Sequence, residues 1–172
     1  MIPQSIIDYL DGRAVAYRRR LHRRAITAQE LAATVHVPGR QVAKSVLVKA
    51  DGKVFIAVLP ATEMLDEDQV AIALDASSVR LLRESEFERF FPDCEPGAEP
   101  PFGGLYGLPL VIDSSLAEAE SIIVRAGSHE EAIEMQYEDL YRLEGEPRVA
   151  PISRTCTEVS PVQRRWHEGW AG

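Results

Sequence analysis

Asp51-Gly52 separates two apolar runs, QVAKSVLVK and KVFIAVLP. An Asp-Gly link between β-branched segments is a strong hairpin signal. Both residues tolerate positive φ, and the resulting turn matches the twist of paired strands. Residues 41–49 and 53–60 are therefore predicted to pair antiparallel. Side chains alternate along a strand, so Lys44 shares one face with Val42, Val46 and Val48. Ala43, Ser45, Leu47 and Lys49 share the other. Both faces are largely apolar, which predicts a buried strand with an ammonium on one side. Burying a lone charge costs on the order of several kcal/mol. Lys44 thus either snorkels off a strand edge or meets an acidic partner, carbonyl oxygens or an anionic ligand. The chain has three lysines against sixteen arginines. That contrast is consistent with a need for a compact ammonium at position 44, and equally with a host bias toward arginine codons.

The remaining pattern supplies the elements around this hairpin. Residues 4–10 read as a short amphipathic helix and residues 15–21 as a strand. Thr27 followed by Glu30 forms a capping box, predicting a helix over 28–35 that Pro38-Gly39 ends. Asp66 is placed to cap a helix reaching Leu74, and residues 79–82 read as a strand. Ser85 with Glu88 predicts a helix through Phe91. Residues 92–109 are punctuated by prolines and glycines and read as a long loop, of the kind that is usually functional or disordered. LPLVID, SIIVRAG and AIEMQY read as strands, and EDLYRL as a closing helix. Helices and strands interleave without a strict βαβ rhythm. The expected fold is a single α+β domain over residues 1–145, with a curved mixed, largely antiparallel sheet flanked by helices. Residues 146–172 read as a flexible or loosely docked tail, in which Trp166 and Trp170 are candidate anchors.

A chain of 172 residues, 45% apolar, is long enough to bury about 70% of its unfolded surface in one core. Cys94 and Cys156 lack C-x-x-C spacing, so nothing calls for an oxidising compartment. MIPQSIIDYLDGRAV lacks the basic-then-apolar pattern of a secretory signal, and no run approaches the ~20 apolar residues of a membrane helix. A cytoplasmic protein without membrane association is expected. Net charge is −8, which argues against indiscriminate nucleic-acid binding. Yet YRRRLHRR, residues 17–24, holds Arg18, Arg19, Arg20, Arg23 and Arg24. This strip is either a solvated strand face or a grip on a few phosphates. His22, His36, His129 and His167 are scattered, so neither a metal site nor a cofactor is expected.

Four motifs in order resemble a known family. TAQELAATVHVPGRQVAKSVLVK is similar to a helix leading into a strand with a functional lysine. Gly97-Ala98-Glu99-Pro100-Pro101 is similar to a G-x-x-x-P loop. FGGLYGLPLVID resembles the segment that follows, and RAGSHEEAIEMQYEDLYRL the closing strands and helix, with Gly127-x-His129 near its start. Over residues 1–145 the chain resembles the YbaK/prolyl-tRNA-synthetase-associated domain, a family of aminoacyl-tRNA deacylases. The resemblance implies trans-editing: hydrolysis of the ester joining a wrong amino acid to a tRNA 3′ end, with alanine or cysteine on tRNA for proline as the usual theme. It implies tRNA as partner; an aminoacyl-tRNA synthetase is a candidate second one. By position, Lys44 becomes the essential lysine. Gly97 and Pro101 define the loop around the aminoacyl group, and His129 matches a histidine of the alanine-directed branches. Gly127, Ser45 and Val46 join the substrate-binding set. Ser45 stands where some members have asparagine or threonine, which leaves the substrate open.

No Ser-His-Asp or Cys-His spacing is evident, so the expected chemistry is direct attack by water. Lys44 would hold a phosphate or carbonyl, and backbone N–H groups near Gly97 would face the oxyanion. Arg18, Arg20 and Arg23 are the candidates for acceptor-stem phosphates. The competing expectation is a non-catalytic module that uses the same pocket to bind an aminoacyl or nucleotide ligand, or docks on a synthetase.

Overall fold

A computed structural model describes residues 1–155. Cys156, Trp166, Trp170 and the rest of residues 156–172 lie outside the described residues, so the expected anchors are not addressed by it.

The Asp51-Gly52 turn forms as its residue types dictate. Both residues have positive φ, 46° and 85°, as a two-residue primed turn requires. It joins β2 (Val42–Ala50) to β3 (Lys53–Pro60) in antiparallel register, with Ala50 opposite Lys53 and Lys44 opposite Leu59. The Asp51 carboxylate accepts from the backbone N–H groups of Ser77 and Ser78, tying the turn to the start of β5 (Val79–Leu81).

Around the hairpin run α1 (Gln4–Asp11), β1 (Tyr17–Leu21), α2 (Ala28–Thr34), β4 (Glu63–Leu65), α3 (Glu67–Leu74) and α4 (Glu84–Phe87). Then come α5 (Gly103–Tyr106), β6 (Leu110–Asp113), β7 (Ser121–Arg125), β8 (Glu131–Gln136), α6 (Tyr137–Leu143), β9 (Arg148–Ala150) and β10 (Ser153–Thr155). Among the described residues the main sheet has eight strands in the order β1-β8-β7-β2-β3-β6-β9, with β5 also on β2. The hairpin partners and the β1/β8 and β7/β8 neighbours are antiparallel; β7/β2, β3/β6 and β6/β9 are parallel. This is the mixed, largely antiparallel sheet flanked by helices that the pattern predicts.

Two local signals act differently from their sequence reading. The helix near residue 85 starts one residue earlier than Ser85: Glu86 accepts from the Arg83 N–H at 2.7 Å and is itself gripped by Arg80 at 2.9 and 3.0 Å. A carboxylate already oriented by a guanidinium outcompetes the Ser85/Glu88 pattern. The chain also keeps order past Leu143. β9 extends the main sheet beside β6, and β10 pairs with β4. Ile152 is fully buried, and its N–H donates to Asp113 at 2.9 Å. Three-residue strands carry too little periodicity to be read locally; their partners define them.

The sheet is covered on both faces. One face carries the main core, where Ile6, Leu10, Phe102 and Leu140 pack on Ala43, Leu47, Val58, Ile122, Val124 and Ile133. A fully buried Leu or Ile contributes about 1.5–3 kcal/mol, so α1 and α6 are held chiefly by this contact. The opposite face carries two smaller clusters. Leu31 and Ala32 of α2, with Val35 just after it, cover Val42, Ile123 and Ala132. Val70 of α3 and Ile152 cover Val48, Ala57 and Val111.

Candidate functional site

Lys44 stands on the second face, between those two clusters. Val42 below it belongs to the α2 cluster; Val46 and Val48 above it belong to the α3 cluster. Leu59, directly opposite on β3, is fully buried. Lys44 is half-buried, and its Nζ donates to the backbone carbonyl of Glu63. A carbonyl satisfies one ammonium donor without cancelling the charge. Glu63 also borders a cleft of about 460 Å³ that Arg40, Gln41 and Thr62 help line.

The sheet opens beside this lysine. β7 pairs with β2 at Val42 and Ala43, and β5 pairs with it from Val48 to Ala50. Between them the two neighbours diverge. The proline-rich loop is bound to the end of β7: the Gly127 N–H donates to Ala98 at 2.8 Å, and the Gly127 carbonyl accepts from Glu95 at 3.0 Å. The β2/β7 register and these two bonds bring the loop to the same end of the sheet as Lys44.

The loop is anchored at its ends and pinned at its middle. Ala98, Pro101 and Phe102 are buried. His129, 3% exposed, fixes the stretch before them. Its N–H donates to Glu95 at 2.6 Å, Nε2 lies 2.7 Å from the Pro96 carbonyl, and Nδ1 lies 3.2 Å from the Ala25 carbonyl. Both ring nitrogens therefore face carbonyls, and His129 shapes the loop wall rather than presenting a free nitrogen. Gly97 packs against this ring with φ +86°; a Cβ there would sit 3.4 Å from His129 Cε1. Its N–H donates to Glu99 Oε1 at 2.9 Å, so the expected oxyanion donor is engaged inside its own loop. Glu99 is buried, and burial pushes its carboxyl above the ordinary range.

Other expected site residues distribute unevenly. Val46 shares the Lys44 face, but Ser45 shares the main-core face with Ala43 and Leu47, so the structure does not bring its side chain to the ammonium. The arginine strip is split by strand alternation. Arg20 reaches Glu134 at 2.5 Å and the Val35 carbonyl at 3.2 Å, and is committed to structure. Arg19 binds Glu131 at 3.0 Å on the other face, and Arg24 lies 3.5 Å from Glu95. Arg18 and Arg23 are exposed and make no ion pair among the described residues. Arg23 borders a cleft of about 600 Å³ shared with His22 and His36.

Arg125, which the spacing did not single out, is the residue the fold adds. It ends β7 with 4% exposure, and its Nη2 donates to the Thr27 carbonyl at 3.0 Å. The alternation Ile123-x-Arg125 carried that signal, had the β2/β7 pairing been known. Cys94 is unsuited to nucleophilic attack. It contacts the Tyr106 hydroxyl at 3.3 Å, and burial pushes its thiol up to about 12. Among the described residues no helix is long and apolar enough to cross a membrane.

Comparison with known proteins agrees with this architecture. No protein of curated function matches the chain. Among solved structures, the hypothetical protein APE2540 is similar at 21% identity and a TM-score of 0.78, covering 87% of this chain and 99% of that one. A candidate trans-editing enzyme for prolyl tRNA synthetase is similar at 19% identity and a TM-score of 0.76, covering 90% and 99%. A candidate signal transduction protein from Marinobacter aquaeolei VT8 is similar at 18% identity and a TM-score of 0.70, covering 98% of this chain but 36% of that one. The profile of the aminoacyl-tRNA editing domain matches residues 22–143, a span that holds Lys44, the Gly97 loop and His129, and the chain belongs to that family.

Proposed function

We propose that the chain is a trans-editing hydrolase that removes a wrongly attached amino acid, alanine or cysteine, from tRNA for proline. One observation carries the reading: a half-buried ammonium flanked by two apolar clusters, at the same end of the sheet as a glycine-proline loop pinned by His129. Water attacks the aminoacyl ester carbonyl, the ester C–O bond breaks, and the ribose oxygen leaves as a hydroxyl, taking the proton that the water gives up. Lys44 stabilises the negative charge that develops on the carbonyl oxygen. The Gly97 N–H is held by Glu99 and would join only if that carboxyl moved away. The loop and Val46 limit the room for the amino acid. A proline pocket elsewhere cannot strongly reject a smaller side chain, because such differences are worth only about 1–3 kcal/mol. A second, tighter site removes the resulting error.

The test is a panel of tRNAs charged with alanine, cysteine, serine or proline, incubated with the protein. Release of alanine or cysteine but not proline is expected. A second reading, a non-catalytic aminoacyl-binding or synthetase-docking module, draws support from the engaged Gly97 N–H and from the similar fold making up 36% of a larger candidate signal transduction protein. Binding without turnover across the panel would establish that second reading instead.

Arg18 and Arg23 are the two members of the strip available to phosphates. Changing both to alanine should lower kcat/KM on tRNA severalfold at low salt. The slope of log kcat/KM against log salt should flatten by about 1 per arginine removed. Rates measured between about 50 and 200 mM salt decide this; an unchanged slope would exclude the strip from tRNA contact.

A further inference from the structure

Arg125 is a buried cation whose pairing is incomplete. Its Nη2 is used by the Thr27 carbonyl, but Nη1 is buried with no hydrogen-bond partner among the described residues. It makes no ion pair among them either. Glu30, Glu95 and Glu99 act on it only through longer-range attraction. A guanidinium stays charged at any physiological pH, and an unmade hydrogen bond from a charged buried group is costly.

Its position relative to Lys44 follows from register. Val42 is level with Ile123 and Ala43 with Val124 in the parallel β2/β7 pair; Lys44 and Arg125 each follow the last paired residue, where the two strands part. Val42 and Ile123 belong to the cluster under α2, so by alternation Lys44 and Arg125 point to that same face. An oxyanion at this end of the sheet would give Nη1 its acceptor. Arginine suits this role because its planar fork can hold Thr27 with one nitrogen and a ligand oxygen with the other.

We propose that Arg125 is a specificity residue that receives an oxyanion of the bound substrate through Nη1. The proposal rests on the deacylase reading above and not on alanine or cysteine as the amino acid removed. The oxyanion has two sources on an aminoacyl-tRNA end: a side-chain carboxylate on the attached amino acid, or the phosphodiester next to the terminal adenosine.

Three non-hydrolysable probes separate these sources, with binding measured calorimetrically on the full chain. They are a 3′-alanylamino-adenosine, the same compound carrying a 5′-phosphate methyl ester, and a 3′-aspartylamino-adenosine. Arg125→Gln should weaken one of the two charged probes by about 10- to 100-fold and the neutral alanyl probe by less than about 2-fold. Arg125→Lys, which keeps the charge and loses the fork, should fall between on the same probe. Loss on the phosphate ester assigns the phosphodiester; loss on the aspartyl compound assigns the carboxylate. Equal loss on all three probes, or on none, would overturn the proposal and leave Arg125 as a strut for Thr27. If Arg125→Gln does not fold by circular dichroism, Arg125→Lys alone decides: selective weakening of one charged probe supports the role, and uniform behaviour refutes it. A wild-type chain that binds no probe would overturn this proposal and the editing reading together. Wild-type binding that Lys44→Ala weakens but Arg125 variants do not alter selectively would overturn this one alone.

Discussion

Lys44→Ala should cut single-turnover deacylation by about 10²- to 10³-fold, the loss typical of removing one well-placed donor to a developing oxyanion. The fold should survive. Lys44 leaves its strand between Val42 and Val46, both apolar, and an alanine there removes a charge that the face holds at a cost. Its Nζ donates to the Glu63 carbonyl, at the edge of a cleft where water can replace the ammonium. The thermal midpoint should therefore shift by no more than a few degrees. Lys44→Met, which keeps the stem and drops the charge, separates packing from charge: activity should fall as far as with alanine. A variant retaining most of its rate would remove Lys44 from the chemistry.

Gly127→Ala should destabilise the protein by about 2–5 kcal/mol. At φ +81° an L side chain is strained, by about 1–2 kcal/mol. The added Cβ would also lie 2.8 Å from Pro3 Cδ, 2.9 Å from Pro3 Cγ and 3.2 Å from Cys94 Sγ. Overpacking of that kind costs about 1–3 kcal/mol. For a chain of this length the midpoint should drop by on the order of 5–15 °C. Gly52→Ala is the matched control. It has φ +85° with nothing within 4 Å of the new Cβ, so it incurs the backbone strain alone. Equal losses in urea unfolding for the two variants would refute the packing account. Activity should fall with Gly127→Ala as well, because the Gly127 N–H and carbonyl are the bonds that dock the loop at Ala98 and Glu95. Gly127 thus supports the site through its backbone.

Much of the fold was legible from short windows. Asp51-Gly52 specified its hairpin, and Thr27 with Glu30 formed the capping box, Glu30 N–H donating to Thr27 Oγ1 at 3.0 Å. Asp66 capped α3 through Asp68 and Gln69. The alternation in β2 placed Lys44 on the face of Val42, Val46 and Val48. These signals are complete within a few residues, because caps and turns satisfy backbone groups locally and a strand's pleat sets which way each side chain points.

The site itself depended on contacts between distant segments. Arg125 comes to the Lys44 end of the sheet only through the parallel β2/β7 pairing, which joins residues some eighty positions apart. His129 becomes a clamp because its two nitrogens meet carbonyls from Ala25 and Pro96, and Ser45 turns away because the main core lies on its side. β9 exists as a strand because β6 offers it an edge. Residue order along the chain determined which way each side chain points from its own strand. Which strands lie side by side, and so which charges meet, was decided by burial of the two sheet faces, a balance that no local stretch contains.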